Sequence, residues 1–499
     1  MAKILIIGGG VAGLSAGIYA RQNGHRAIIC ERQHIAGGNL TGWQRGAYHI
    51  DNCIHWLTGT NPRTQTYQVW QTLGMLDTDD VYQANELYTC EIDGQTLALD
   101  KDLQVLQENM LQISPADKKQ IRRLITAVET VQALCSIAGK QHDKKLSFTQ
   151  AVLKTPSLLY FYTRSTGELA KTFKHPLLQS FIAGFIGNDF SSLALLVVYA
   201  TFCGGNGALP KGGSLAAAKR IVKRFETLGG ELLLNKEATK IHVKNGKATS
   251  VSFADGTNIR ADYIVCAADA KITFDTLLKM PMPKRLQKQY ANPASPRFSS
   301  YHVAFACEQS ALPFTGDYIF PTPEKYRKIL HTDYIVLREF SHESGFAPKG
   351  ETVLQTLTFC DEQTAREFVA LRKDKAAYEH KKEELAKTMQ IVIQRKFPKL
   401  KLRLIDVWTP ATYARYTGAE IGSWMSFILP KNTLPVRIPE RIDGLNNVVL
   451  ATQWQQAPGG LPTAAEMGKR AIERIVKQEN ALLKKVKLIL PKRKHTKRA

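Results

Sequence analysis

The chain has 499 residues, enough for a large buried core and two or three domains. With 44% hydrophobic and 22% charged residues it has the composition of a folded, water-soluble protein, which excludes a disordered or fibrous chain. Its formal charge of +23 suits an anionic surface, yet no zinc-finger, basic-zipper or RNP-like pattern accompanies it, so a nucleic-acid partner is not expected.

Ile4 to Ile7 are an apolar run that reads as a buried parallel strand. Gly8, Gly10 and Gly13 follow at dinucleotide-fingerprint spacing. The first glycine makes the tight turn, the second lets the backbone approach a pyrophosphate, and the third lets the helix pack on the sheet. That helix points its N-terminal N–H groups at the phosphates. Ala27 to Cys30 is a second strand, ending at Glu31, 21 residues after Gly10. A carboxylate there accepts both hydroxyls of an adenosine ribose and repels a 2′-phosphate. Gly37 and Gly38 return the chain to the nucleotide.

The stretch 48–56 carries Asp51, Cys53 and His55. Ser114 to Asp117 reads as a capped helix start with its proline. Residues 173–203 are rich in Phe, Leu, Ile and Val and are one candidate for membrane contact. The longest apolar run, around Leu193 to Ala200, falls far short of the ~20 residues that span a bilayer, so no transmembrane helix is expected. Gly212-Gly213 opens an amphipathic helix that ends at Gly229-Gly230. A strand from Glu231 follows, then a meander with turns at Asn245-Gly246 and Asp255-Gly256, then a return strand at 263–266. Further strands are expected at 300–307, 353–359 and 403–408, and a charged helix over 373–393. Near the end come a buried strand at 448–451, a loop-to-helix junction at Gly459-Gly460 with Pro462 as first helical residue, and a helix to about Val476. From Lys477 to Ala499 there are nine Lys/Arg and one acid. Leu482, Leu483, Val486, Ile489 and Leu490 recur there at helical spacing, a pattern suited to anionic lipid.

Eight cysteines are scattered with no CxxC pair, and the sequence opens without a secretory leader pattern. The expected location is a reducing cytoplasm, peripherally at the inner membrane face if the tail binds lipid. No metal-ligand spacing, Ser/His/Asp triad or carboxylate pair stands out, so no metal and no catalytic residue is assigned.

Gly8, Gly10, Gly13, Gly17, Glu31, Gly37 and Gly38 resemble the extended FAD fingerprint of the amine oxidase and phytoene desaturase superfamily. The block 210–270 is similar to the middle part of that family's FAD domain, and the glycine-rich stretch before Pro462 to the C-terminal signature of carotenoid desaturases. The resemblance implies an α/β protein: a Rossmann-type FAD/NAD(P)-binding domain with an inserted α+β substrate domain. The FAD domain would comprise 1–75, 208–270 and 440–476, and the substrate domain 76–207 and 271–439, with 477–499 as a basic tail. FAD would be held by Gly8, Gly10, Gly13, Glu31, Arg32, Gly37, Gly38, Asn39, Ala238, Ala267, Gly459, Gly460, Leu461 and Pro462. Asn39 replaces the family's arginine, Cys53 a glycine, and Thr452 and Gln453 a small or acidic pair. Asp51 and His55 match a stretch that passes under the flavin. His55 could bond a flavin oxygen or a substrate carboxylate. Tyr413, Arg415, Tyr416 and Trp424 fall in a segment resembling a cavity lining and are candidates for a polar head group. The implied activity is that of an FAD-dependent oxidoreductase of the phytoene desaturase and retinol saturase group, moving hydride between flavin and carbon–carbon bonds of an apolar polyene or lipid. A flavin amine oxidase would favour an acidic entrance, against the basic balance. A non-catalytic lipid carrier, as in the GDP-dissociation-inhibitor branch, would not need the intact glycines and Glu31.

Overall fold

The computed structural model describes residues 1–77, 80–137, 155–435 and 437–489. Strands buried on both faces are apolar throughout, and Ile4 to Ile7 is such a run, at most 5% exposed. It becomes the strand Lys3–Ile7 near the centre of a six-stranded sheet. The sheet order is Glu231–Leu233, Arg26–Cys30, Lys3–Ile7, Tyr263–Cys266, Leu445–Leu450, Arg441–Ile442. All neighbours are parallel except the last pair. Ile7 pairs with both Cys30 and Cys266, and Cys266 with Leu450, so the carboxyl ends finish level. In such sheets ligands bind outside those ends. The expected meander forms as Ala238–Lys244, Lys247–Phe253 and Asn258–Arg260, turning through left-handed residues at Asn245-Gly246 and Gly256.

The first helix, Val11–Gln22, crosses the last, Leu461–Ile489, at small residues. A β-carbon on Gly468 would strike the carbonyl oxygen of Ala12, and Ser15 Oγ donates to the Ala465 carbonyl at 2.7 Å. Two sequence expectations are corrected here. Pro462 is the second helical residue, because Leu461 already has helical geometry. The helix also does not stop at Val476. It runs to Ile489, and Glu479 reaches within 3.7 Å of the buried His25. The predicted apolar stripe and residues 490–499 lie outside the described side chains.

The two inserts build one seven-stranded sheet. Its order is Arg403–Trp408, Ser299–Glu308, Glu351–Cys360, Tyr334–Glu339, Asp317–Pro321, Glu86–Ile92, Gln95–Asp100. It is antiparallel except where Asp317–Pro321 meets Glu86–Ile92 in parallel, the seam between the inserts. Residues 173–203 form the helices Pro176–Ala183 and Ser192–Cys203 and bury Leu177, Phe181, Leu196 and Tyr199 in the core. Tyr199 and Tyr88 share a hydrogen bond inside it. This segment is therefore interior and offers no membrane face. Among the described residues no helix is long and apolar enough to cross a membrane.

Candidate active site

At the carboxyl end of the first strand the chain turns through Gly8, with φ +105°. Its N–H donates to the Cys30 carbonyl at 2.9 Å. A β-carbon on Gly13 would collide with the Gly8 carbonyl, so only glycine allows the helix this close to the turn. Glu31 is 8% exposed and accepts the Gly9 N–H at 2.7 Å and the Gln33 N–H at 2.9 Å. Burial pushes its carboxyl above the ordinary range, against the pull of those N–H groups. Two of about four acceptor positions on the carboxylate are used, which leaves two for ribose hydroxyls. Gly37 N–H donates to the Gly9 carbonyl at 2.8 Å, and a β-carbon on Gly38 would sit 3.2 Å from Gly10 Cα. The cradle wall is thus bare backbone on both sides.

One cavity of about 1120 Å³ begins at this cradle. Glu31, Arg32, Asn39, Ala238, Ala267, Gly459, Gly460, Leu461 and Pro462 all line it. Arg32 Nε, Asn39 Oδ1 and Trp424 Nε1, on its wall, are buried polar atoms without a protein partner. Buried polar atoms require partners. FAD carries phosphate and ring acceptors and ribose donors, so the residues present fit that group. Gln453 holds the second glycine pair in place: its Oε1 accepts the Gly460 N–H at 2.8 Å and its Nε2 donates to the Trp424 carbonyl at 3.1 Å. The departure from the family pattern at 453 is therefore a brace for the junction.

Beyond the junction the wall turns apolar. Trp56 lies 5.3 Å from Phe185, Phe190 5.5 Å from Phe298, and Phe298 5.1 Å from Trp424, ring centre to ring centre. Leu193, Val197 and Phe359 line the same arm. The four head-group candidates do not form one subsite. Arg415 and Tyr416 border the nucleotide end, where their carbonyls accept from Arg32 and from Gln33 Nε2. Trp424 belongs to the aromatic wall. Tyr413 is buried, its hydroxyl accepting from Trp408 Nε1 at 3.0 Å and lying 2.9 Å from Asn52 Oδ1. Asp51 does not line the cavity. It caps the helix Gly213–Thr227, accepting the Ser214 N–H at 2.5 Å and hydroxyl at 2.7 Å. His55 does line it.

Sequence reasoning missed Asp317, Arg338 and His302. Asp317 and Arg338 face each other across adjacent strands, Nε to Oδ1 at 2.5 Å and Nη2 to Oδ2 at 2.6 Å, at 3% and 7% exposure. Arg338 also donates to the carbonyls of Ile54, at 2.7 Å, and His55, at 2.9 Å. The one available signal was a polar residue inside each apolar strand run.

The cavity segment 418–426 is braced by ions. Buried Arg297 binds Glu362 and Glu420, and Lys271 and Arg366 also reach Glu420. Burial raises the Glu420 carboxyl, but the hydrogen bonds from Arg297, Lys271 and Arg366 outweigh it and hold the group at about 2, against an ordinary 4.5. A depressed carboxyl stabilises the fold fully above the unfolded value and loses that contribution as pH falls through the folded one. The stability gap between wild type and Glu420→Gln is therefore expected to narrow between pH 4.5 and 2 in denaturant titrations. A gap that does not change with pH would show that the brace is not electrostatic.

A glycine-walled nucleotide cradle opening on an apolar arm is the arrangement of a flavin-dependent oxidoreductase. The family model described as flavin containing amine oxidoreductase matches residues 11–476, and the chain belongs to that family. It is an FAD-dependent enzyme. Prolycopene isomerase 1, chloroplastic, of an Oncidium hybrid cultivar is 24% identical over 476 residues, covering 88% of this chain and 77% of that protein. The neurosporene-forming phytoene desaturase of Rhodobacter capsulatus is 26% identical over 291 residues, 56% of this chain and 55% of that one. An oxidoreductase from Methanosarcina mazei shares the fold at a TM-score of 0.60 and 13% identity, covering 95% of this chain and all of its own.

Proposed function

We propose that this enzyme acts on carbon–carbon bonds of a long polyene of the carotenoid class. The observation that carries the reading is the aromatic and aliphatic arm that continues the nucleotide cradle without a break. Bound FAD supplies hydride chemistry. Gly8, Gly10, Gly13, Gly37 and Gly38 admit its pyrophosphate, Glu31 its ribose, and Arg32, Asn39, Ala238 and Ala267 line the adenosine and phosphate path. Gly459, Gly460, Leu461 and Pro462 line the cavity at a helix N-terminus, whose partial positive charge would favour electron uptake by a flavin held there. In this reading 1–75, 208–270 and 440–476 serve the cofactor and 76–207 and 271–439 the substrate. The arm excludes water and orients the polyene by shape. An amine substrate fits less well, because Asp317, one of the carboxylates lining the cavity, already has its cation in Arg338, and Asp406, another, has Arg45. Relatives named for prolycopene and phytoene support the same class.

The test is anaerobic incubation of the yellow holoenzyme, oxidised or reduced, with C40 polyenes, retinoids and primary amines. A shift of the polyene absorption band, with no flavin bleaching by amines, is expected. Bleaching by amines without any polyene change would overturn the reading.

The basic tail is proposed to dock the enzyme on anionic membrane lipid, each Lys or Arg near the surface contributing ~1 kcal/mol. Because the last helix runs to Ile489 and Glu479 meets His25, a cut after Gln478 removes folded structure. Truncation after Ile489 deletes five of the eight basic residues in 484–498 and leaves the helix whole. This variant should keep its FAD and bind anionic vesicles more weakly at low salt. Equal partitioning of both proteins would eliminate the tail as an anchor.

A further inference from the structure

Making a double bond from two adjacent saturated carbons removes two hydrogens. One leaves as a hydride, whose electron pair the bound flavin accepts. The other leaves as a proton, and its C–H electron pair becomes the π bond. That proton needs a base, and the arm is almost entirely hydrocarbon.

Three imidazoles line the cavity, His34, His55 and His302; His34 is exposed on the nucleotide loop beside Gln33, away from the apolar arm. His302 is fully engaged. Its Nδ1 donates to the Thr356 carbonyl at 2.8 Å, its Nε2 lies 2.8 Å from Ser300 Oγ and 3.0 Å from the Tyr413 hydroxyl, and its ring stacks on Trp408 at 4.6 Å. His55 differs. Its Nδ1 lies 4.0 Å from Asp317 Oδ2. The guanidinium of Arg338 fixes both members of that pair, holding the Asp317 carboxylate with two bonds and the main chain at Ile54 and His55 with two more. Among the described residues no hydrogen bond engages His55 Nε2, and the His55 side chain, 21% exposed, lines the cavity.

We propose that His55 Nε2 is the proton acceptor of this oxidoreductase, with Asp317 and Arg338 as positioning residues that aim it. The proposal rests on the polyene reading above. In the hydrogenating direction the same nitrogen returns the proton.

The charged and titratable groups facing His55 are Arg338, Asp317, Asp51 and His302. Burial and Arg338 push the imidazole below its ordinary 6.5, while Asp317 and Asp51 pull it up, and the net direction is down. The ring is therefore neutral near pH 7 and carries a lone pair. A protonated ring cannot accept, so the rate falls as pH drops through the His55 value, on a limb below 6.5.

The experiment uses the FAD-loaded full chain and a polyene that wild type converts. His55→Gln should bind FAD and polyene as wild type does. Its single-turnover flavin reduction should slow by about 10²–10⁴-fold and lose the acidic limb. Asp317→Asn removes the upward pull and should move the limb to lower pH, an effect that a merely structural role would not produce. Ring titration of His55 by NMR, assigned through His55→Gln, is the readout independent of turnover, with a midpoint expected below 6.5. Reduction of His55→Gln within a few-fold of wild type, or a ring titrating above its ordinary value, overturns the proposal and leaves the polyene reading standing. A wild type that converts no polyene overturns both.

Discussion

Arg338→Met is expected to destabilise the protein by about 3–5 kcal/mol, the cost of leaving a buried charge without its partner. Asp317 is 3% exposed and has Arg338 as its cation. The arginine also supplies the bonds that hold the carbonyls of Ile54 and His55, so two acceptors are stranded along with the carboxylate. The lower denaturant midpoint should appear both with and without bound FAD, because the pair stands in the seven-stranded sheet. Arg338→Met with Asp317→Leu should recover part of the loss, since a buried pair replaced by apolar groups is far less costly than a broken one. An unchanged midpoint in the single variant would show that this charge pair does not hold the loop.

Glu31→Ala should weaken FAD by ~1–3 kcal/mol for the lost ribose bonds, roughly 5- to 150-fold. The structure adds to that expectation. Glu31 also satisfies the N–H groups of Gly9 and Gln33, so the alanine variant strands two donors of the cradle. Glu31→Gln keeps one acceptor oxygen and should fall between. The measurement is FAD retained through extensive dialysis, followed by titration of the apoprotein. Retention equal to wild type would sink the assignment of Glu31.

The cofactor side of this protein was legible because its physics is local. A glycine is demanded wherever a helix or loop passes within a β-carbon of another backbone, and Gly8, Gly13, Gly37 and Gly38 mark those crossings within a few dozen residues. The hairpin turns at Asn245-Gly246 and Asp255-Gly256 were readable for the same reason. The substrate side is built by long-range pairing. Asp317 meets Arg338 because two strands zip in one register, and both meet His55 only because strands 262 or more residues further along fold over it. Nothing near any of the three announces the others. Asp51 shows the same limit: it was singled out only for matching a family stretch, and its carboxylate closes the start of a helix 162 residues away. The segment from Tyr413 to Trp424 lines the cavity, with its four candidates at different places along it. Its helix meets the cradle through the carbonyls of Arg415 and Tyr416, while Trp424 in the loop after it packs into the aromatic arm.

The crossing of the first and last helices also constrains the order in which the molecule can mature. The nucleotide turn at Gly8 to Gly13 leaves the ribosome first, but the glycine that lets its helix be buttressed is residue 468, and the strand that completes the parallel sheet beside 263–266 is 445–450. Domains generally fold as units during synthesis. This one has its ends in each other's keeping, so the cradle remains half-built until nearly the whole polypeptide has been made. Cofactor loading is therefore expected to come late, and a chain stalled on the ribosome before the final helix should carry the FAD fingerprint without retaining FAD.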